Sequence, residues 1–255
     1  MVRLMMNKKL VLLLVVSLCI ISWNYIFWFN NPFLIQSSNP FLPWIYNPIS
    51  WFYEQKTEEG IEKEFINSLD FYSDESLQKF LDDNHPLSNN YEADVIAINS
   101  DFTSNQSSKF YLRKEVAEAF ESMAWAFSNA FDYKAHLTIN SAWRSQAYQR
   151  KLLATCSTWR CAKAWTSEHE AWLALDLWVN WWNIKAWSWK YYQWLMDNAH
   201  LYWFHNSYQK WLKIDGKIVE PWHWRYVWVD LATILHKHNQ TFAEYFYKDI
   251  ENNNI

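Results

Sequence analysis

Glycine is nearly absent from this chain, with two residues in 255 where an average usage of about 7% predicts ~18. Tryptophan is in excess by a similar amount, with 20 copies. Several of these Trp stand in turn-like contexts, such as Ala164-Trp165-Thr166-Ser167 and Asn180-Trp181-Trp182-Asn183. Turns of this kind need positive φ or close backbone approach, and an indole disfavours both. A genuinely Trp-rich, sugar-binding surface explains the surplus but leaves the missing glycine unexplained. One hypothesis accounts for both counts. Some bacterial lineages read the UGA codon as glycine, and translation under the commoner UGA-to-Trp reassignment writes Trp at each such codon.

Other absences exclude whole classes of function. The formal charge of -4 and a pI near 6.1 leave no basic footprint, so nucleic acid is excluded as a partner. Arg3, Lys8 and Lys9 precede an uncharged run from Leu10 to Phe29, about the ~20 residues that span a bilayer, with the positive flank on the cytoplasmic side. No A-x-A-like cleavage site follows it. Leu18 precedes Cys19 where a lipoprotein signal requires a small residue. The run therefore reads as a signal anchor: a single-pass cell-membrane protein with its catalytic domain outside the cytoplasm. Of the three cysteines, Cys156 and Cys161 lie close together. Outside the cytoplasm they can close a small disulfide loop or remain two thiols, because spacing alone does not set geometry.

No internal repeat is present. Residues 1–29 form the anchor, and 30–57 a linker rich in Pro, Asn and aromatics without helical period. A helical extension follows over 58–90, with apolar positions at Phe65, Leu69, Leu77, Phe80 and Leu81 predicting helix from Glu58 to Asp83. The main domain covers 91–240 and a tail 241–255. Within the domain, Asp94 to Ile98 and Leu137 to Ser141 read as strands. Arg113 to Asn129 reads as a helix with Val116, Ala119, Phe120, Met123 and Phe127 on one face. Helices over Gln146–Thr155 and Lys190–His200 then alternate with strands over Leu173–Val179 and Arg225–Val229, which predicts an α+β domain.

The chemistry is concentrated in two segments. The first is Ser167-Glu168-His169-Glu170-Ala171-Trp172-Leu173-Ala174-Leu175-Asp176, and the second is Glu220-Pro221-Trp222-His223-Trp224-Arg225-Tyr226. Two imidazoles and one carboxylate from separate segments suit a catalytic zinc site with a fourth position open. Only two residues separate Glu220 from His223, so one bend can set the histidine on a metal and the carboxylate beside it as a base. These segments resemble the VanY-type D-alanyl-D-alanine carboxypeptidases, zinc peptidases of bacterial peptidoglycan, with patterns S-x-H-x-x-G-x-A-x-D and E-x-W-H. Ser167, His169, Ala174, Asp176, Glu220, Trp222 and His223 match. Trp172 stands where the family has Gly, as the UGA hypothesis predicts. Ser141-Ala142-Trp143-Arg144-Ser145 with Gln149, and Asn198-Ala199-His200-Leu201-Tyr202-Trp203-Phe204, resemble two further family elements, with Trp203 again at a glycine position. The resemblance covers roughly Asp94 to Ala232.

The resemblance implies a small antiparallel sheet with flanking helices, the zinc D-Ala-D-Ala peptidase fold, here preceded by an N-terminal membrane helix. It implies Zn held by His169, Asp176 and His223, Glu220 as catalytic base, Arg144 as substrate contact and oxyanion stabiliser, and Ser167 as a contact to the peptide main chain. The implied reaction is hydrolysis of the terminal peptide bond of a peptidoglycan stem peptide. Relatives of the same fold act as L,D-carboxypeptidases, D,D-dipeptidases or endopeptidases, and a catalytically silent wall-binding module is the alternative from another class. Retention of Glu220 beside a full ligand set argues against silence. His85, His136, His200, His205, His236 and His238 read as structural or exposed, and Arg144 has a buried ion pair as its alternative. The specific stem peptide and the oligomeric state are not legible in the sequence.

Overall fold

The computed structural model describes residues 58–103, 109–184 and 189–251. The expected anchor and linker lie outside the described residues. Among the described residues no helix is long and apolar enough to cross a membrane.

The first helix, α1, covers Glu58–Asn67 and stops well short of Asp83. Asp70 accepts hydrogen bonds from the backbone N–H groups of Tyr72 (2.8 Å) and Ser73 (3.0 Å), a local turn that competes with helix. The buried Arg113 guanidinium then draws the carbonyls of Asp74 and Glu75, each at 2.8 Å, away from helical partners. Strands β1 (Val95–Ala97) and β2 (Tyr111–Arg113) form an antiparallel pair. Helix α2 (Lys114–Ala130) buries Val116, Ala119, Phe120, Met123 and Phe127, the face expected from their spacing.

The main sheet has five strands: β3 (Leu137–Ser141), β4 (Ala174–Val179), β5 (Trp182–Asn183), β6 (Phe204–His205) and β7 (His223–Tyr226). Its order is β3-β4-β7-β6, with β5 also paired to β4, and every pairing is antiparallel. Strand β4 is central and buried along nearly its whole length. Between β3 and β4 lies α3 (Gln146–Leu153), capped by the Ser145 hydroxyl, which accepts from Tyr148 N at 3.2 Å. Helices α4 (Trp189–Asn198), α5 (Leu212–Asp215), α6 (Val229–His238) and α7 (Phe242–Tyr245) complete the α+β architecture. The strand expected over Arg225–Val229 is shifted toward the N-terminus, and α6 takes over at Val229. Cys156 and Cys161 are joined in a disulfide.

Among the described residues, two apolar cores form. One unites α2 with β3 and β4 through Phe120, Phe127, Leu137, Ile139 and Leu175. The second contains Phe71 and Phe80 from the N-terminal extension with Leu231, Phe242, Phe246 and Ile250. Residues 241–251, set apart in sequence as a tail, therefore belong to this second core. Thr241 and Glu244 form a reciprocal capping box that starts α7.

Among the described residues, ten other than glycine have positive φ, and six are Trp: Trp165 (75°), Trp172 (56°), Trp181 (72°), Trp203 (72°), Trp211 (89°) and Trp228 (73°). Trp203 occupies the left-handed position that ends a helical turn, where glycine is the usual residue. Trp211 (ψ 166°) and Trp228 (ψ 160°) lie in a region adopted almost only by glycine. Trp222 and Trp224, in the E-x-W-H segment, are not among the positive-φ residues.

Candidate active site

Sheet register assembles the site. Asp176 on β4 pairs with Ser141 of β3 on one side and His223 of β7 on the other, so its carboxylate and the His223 imidazole emerge side by side. A register irregularity between Ile139 and Ser141 turns the end of β3 toward the same place. His169 arrives on the turn before β4, whose backbone closes through Glu170 N to Ser167 O (2.9 Å) and Trp172 N to His169 O (3.3 Å). The left-handed residue in this turn is Trp172. Arg113 supports the turn from behind by donating to Ala171 O at 3.0 Å.

His169, Asp176 and His223 are all buried, and one ligand atom from each lies within 4.8 Å of the others. Asp176 Oδ1 is 3.3 Å from His169 Nε2 and 3.4 Å from His223 Nδ1. His169 Nδ1 lies 2.6 Å from the Ala142 carbonyl, which can only accept, so that nitrogen carries the proton. Burial, with the Arg144 charge, depresses His169 to about 4, and the imidazole is neutral. Its Nε2 lone pair is buried without a hydrogen-bond partner and faces a carboxylate oxygen. Two acceptors converging in a buried pocket call for a cation between them. The donor set of two imidazoles and a carboxylate suits zinc.

Around this triad, Asp176 remains ionised. Burial opposes its charge, but His223 and the Arg144 guanidinium hold the carboxyl well below the usual range. Arg144 donates to the outer oxygen of Asp176 through Nη2 and to Ser141 Oγ through Nε at 3.1 Å, so a half-buried ion pair and a place beside the triad coexist. It also lines a cleft with Tyr91, Trp143, Arg150, Glu170 and Trp172, in which the Trp143 and Trp172 rings stack at 5.4 Å.

Glu220 sits at the bend expected from its spacing. His223 N donates to Glu220 O at 3.0 Å, and Glu220 N to Tyr208 O at 2.9 Å. Burial pushes the Glu220 carboxyl up to about 7, with His223 and Arg144 pulling against it and Asp176 adding to it. A carboxylate in that range is matched to proton transfer near neutral pH. Ser167 is buried in the same turn as His169, its N–H donating to Glu170 Oε2 at 3.3 Å.

Sequence reasoning missed Glu168, Arg225, Ser207 and Tyr208. The buried Glu168 contacts His223, Arg225 and Ser207, and the Tyr208 ring packs on His223 at 4.7 Å. Strand alternation was a usable signal for Arg225, since it lies two residues after His223 and shares its face. A buried arginine there requires an acidic partner.

Comparison with known proteins agrees with this geometry. A family profile described as VanY, D-alanyl-D-alanine carboxypeptidase, matches residues 109–229. This segment is similar to the VanY family. Among solved structures, the LdcB LD-carboxypeptidase is similar at 26% identity, covering 69% of this chain and 87% of that one with a TM-score of 0.62. VanYB in complex with D-alanine-D-alanine shares the fold at 20% identity, 67% and 97% coverage and a TM-score of 0.55. A VanY D,D-pentapeptidase variant in complex with Zn(II) does so at 20% identity, 66% and 97% coverage and a TM-score of 0.55. No curated protein sequence matches the chain. The matched segment, with its VanY-like fold, thus presents a buried His-Asp-His triad with an acidic residue and an arginine beside it.

Proposed function

We propose that this protein is a zinc-dependent D-alanyl-D-alanine carboxypeptidase that hydrolyses the terminal peptide bond of peptidoglycan stem peptides. The observation that carries the proposal is the neutral, unpartnered Nε2 of His169 facing Asp176 Oδ1, with His223 Nδ1 close by and Glu220 held near 7. His169, Asp176 and His223 would hold the metal, which when bound supplies Lewis acidity to water and to the scissile carbonyl. Glu220 takes the proton from the attacking water as its oxygen joins the carbonyl carbon. It returns that proton to the departing D-alanine nitrogen as the C–N bond breaks. Arg144, kept in place by Ser141 and Asp176, offers a fixed cationic fork to the oxygen on which charge develops. Ser167 contacts the peptide main chain.

A second reading, L,D-carboxypeptidase, is favoured by the greater identity to LdcB, 26% against 20% for VanYB. One assay separates them: D-alanine release from pentapeptides ending in D-alanyl-D-alanine and from tetrapeptides ending in an L,D bond, with zinc content measured alongside. Cleavage of the pentapeptide alone supports the first reading. Cleavage of the tetrapeptide alone replaces it with the second. A protein that binds peptidoglycan and cleaves neither is a binding module. His169→Ala, Asp176→Ala and His223→Ala should each lose zinc and activity together.

The apolar run Leu10 to Phe29 supports single-pass anchoring, with the domain outside the cytoplasmic membrane and beside its polymer. The Cys156–Cys161 disulfide is consistent with an oxidising compartment.

A further inference from the structure

The two histidines of the triad present opposite ring nitrogens to Asp176. His169 does so with Nε2, because the Ala142 carbonyl occupies its Nδ1. His223 does so with Nδ1, and the partner of its other nitrogen is Glu168, whose Oε2 lies 2.7 Å from Nε2. Every oxygen of Glu168 is engaged. Ser207 Oγ donates to Oε2 at 2.8 Å and lies 3.1 Å from Oε1, and Arg225 Nη1 donates to Oε1 at 3.0 Å. Glu168 is 5% exposed and Arg225 fully buried. Arg225 is itself held, donating through Nη2 to the Lys79 carbonyl and lying over the Phe242 ring at 5.0 Å. The carboxylate therefore has no freedom to turn away from the imidazole.

An ionised carboxylate only accepts hydrogen bonds, so the hydrogen between Glu168 and His223 belongs to Nε2. Asp176 Oδ1 lies 3.4 Å from Nδ1 as well, so a cation bound there takes the place of the Nδ1 hydrogen, and the hydrogen that remains on the neutral ring is the one on Nε2. We propose that Glu168, braced by Arg225 and Ser207, is a positioning residue that fixes His223 in the Nε2–H tautomer and so presents Nδ1 to the metal. The inference rests on the zinc-site reading above. It assigns Glu168 a task distinct from that of Glu220: one carboxylate orients a ligand, and the other moves a proton. Arg225 balances the Glu168 charge, so the orienting carboxylate is held ionised in the interior without leaving net charge there. A partner of this kind sets ring orientation and raises ligand basicity, and its loss typically costs 10–100-fold in metal affinity.

The test uses the zinc-loaded full-length protein labelled with ¹⁵N-histidine. Long-range proton–nitrogen correlations should show His223 protonated at Nε2 and His169 at Nδ1. Zinc affinity is then measured by chelator competition for Glu168→Gln, which keeps an acceptor but loses the charge, and for the charge-balanced double variant Glu168→Met/Arg225→Met. Affinity should fall by about 10–100-fold in the double variant and by less in Glu168→Gln. Protonation of His223 at Nδ1 in the intact holoprotein overturns the proposal even if neither variant folds. A folded double variant that binds zinc within twofold of the parent also overturns it, while the zinc reading stands. A parent that takes up no zinc removes the zinc reading and this inference together.

Discussion

Replacing Trp181, Trp211 and Trp228 together by glycine should stabilise the domain. All three are exposed, at 52%, 56% and 39%, so truncation forfeits little buried surface. Their φ angles are 72°, 89° and 73°, and holding an L-residue in such regions costs ~1–3 kcal/mol each. Glycine relieves that strain but adds ~0.5–1 kcal/mol of unfolded-chain entropy per site. The net gain is therefore ~0.5–2 kcal/mol per position, or ~1.5–6 kcal/mol for the triple variant. At ~2–4 °C per kcal/mol, the melting temperature should rise by ~3–24 °C. The assay is urea and thermal unfolding followed by far-UV circular dichroism. Trp224→Gly is the control. Trp224 is 2% exposed and outside the positive-φ set, so its loss should destabilise by roughly 3–5 kcal/mol, as for other large core truncations. A triple variant less stable than the parent would refute the strain argument. The codon hypothesis is tested separately on the native protein: peptide mass spectrometry should find glycine at positions 165, 172, 181, 203 and 228, and by the same backbone criterion at 211. Tryptophan at 172 and 203 would sink it.

Three further outcomes follow from the site. Glu220→Gln keeps the shape but cannot accept a proton, so it should bind zinc normally while turnover falls by ~10²–10⁴-fold. Full activity rejects the base assignment. In the parent, Glu220 is protonated below about 7 because burial favours its neutral form, so kcat/KM should fall tenfold per pH unit on the acid side. The limb should move lower when a bound cation favours the carboxylate, and a limb that rises with acidity contradicts the role. Arg144→Ala should still take up zinc yet lose ~2.7–4 kcal/mol of transition-state stabilisation, as on deletion of one oxyanion donor. An unchanged kcat would leave Arg144 only its structural pairing with Asp176. Finally, protease added to intact spheroplasts should remove the catalytic domain, and protection until lysis would reverse the proposed topology.

Local patterns carried much of this protein. Helix α2 was legible because Val116, Ala119, Phe120, Met123 and Phe127 repeat at helical spacing, and β3 because Leu137 to Ser141 is a short β-prone run. The strained positions were legible as well, since backbone need and residue type disagree at single sites such as Trp172 and Trp203. The triad and Glu220 could be named because their motifs are short and ordered along the chain. Other features depend on distant parts of the chain meeting. Helix α1 ends at Asn67, although its apolar spacing continues, because Asp70 closes a local turn and the distant Arg113 then claims the carbonyls of Asp74 and Glu75. Residues 241–251 join a core with Phe71 and Phe80, a pairing that no local period encodes. Glu168 is an unremarked residue of its motif until β4 and β7 pair in the register that sets Asp176 opposite His223. Sequence alone thus named the candidate triad and Glu220, whereas the tertiary structure decided which nitrogen of His223 faces Asp176. That choice is set by a carboxylate 55 residues away along the chain, and only folding brings the two together.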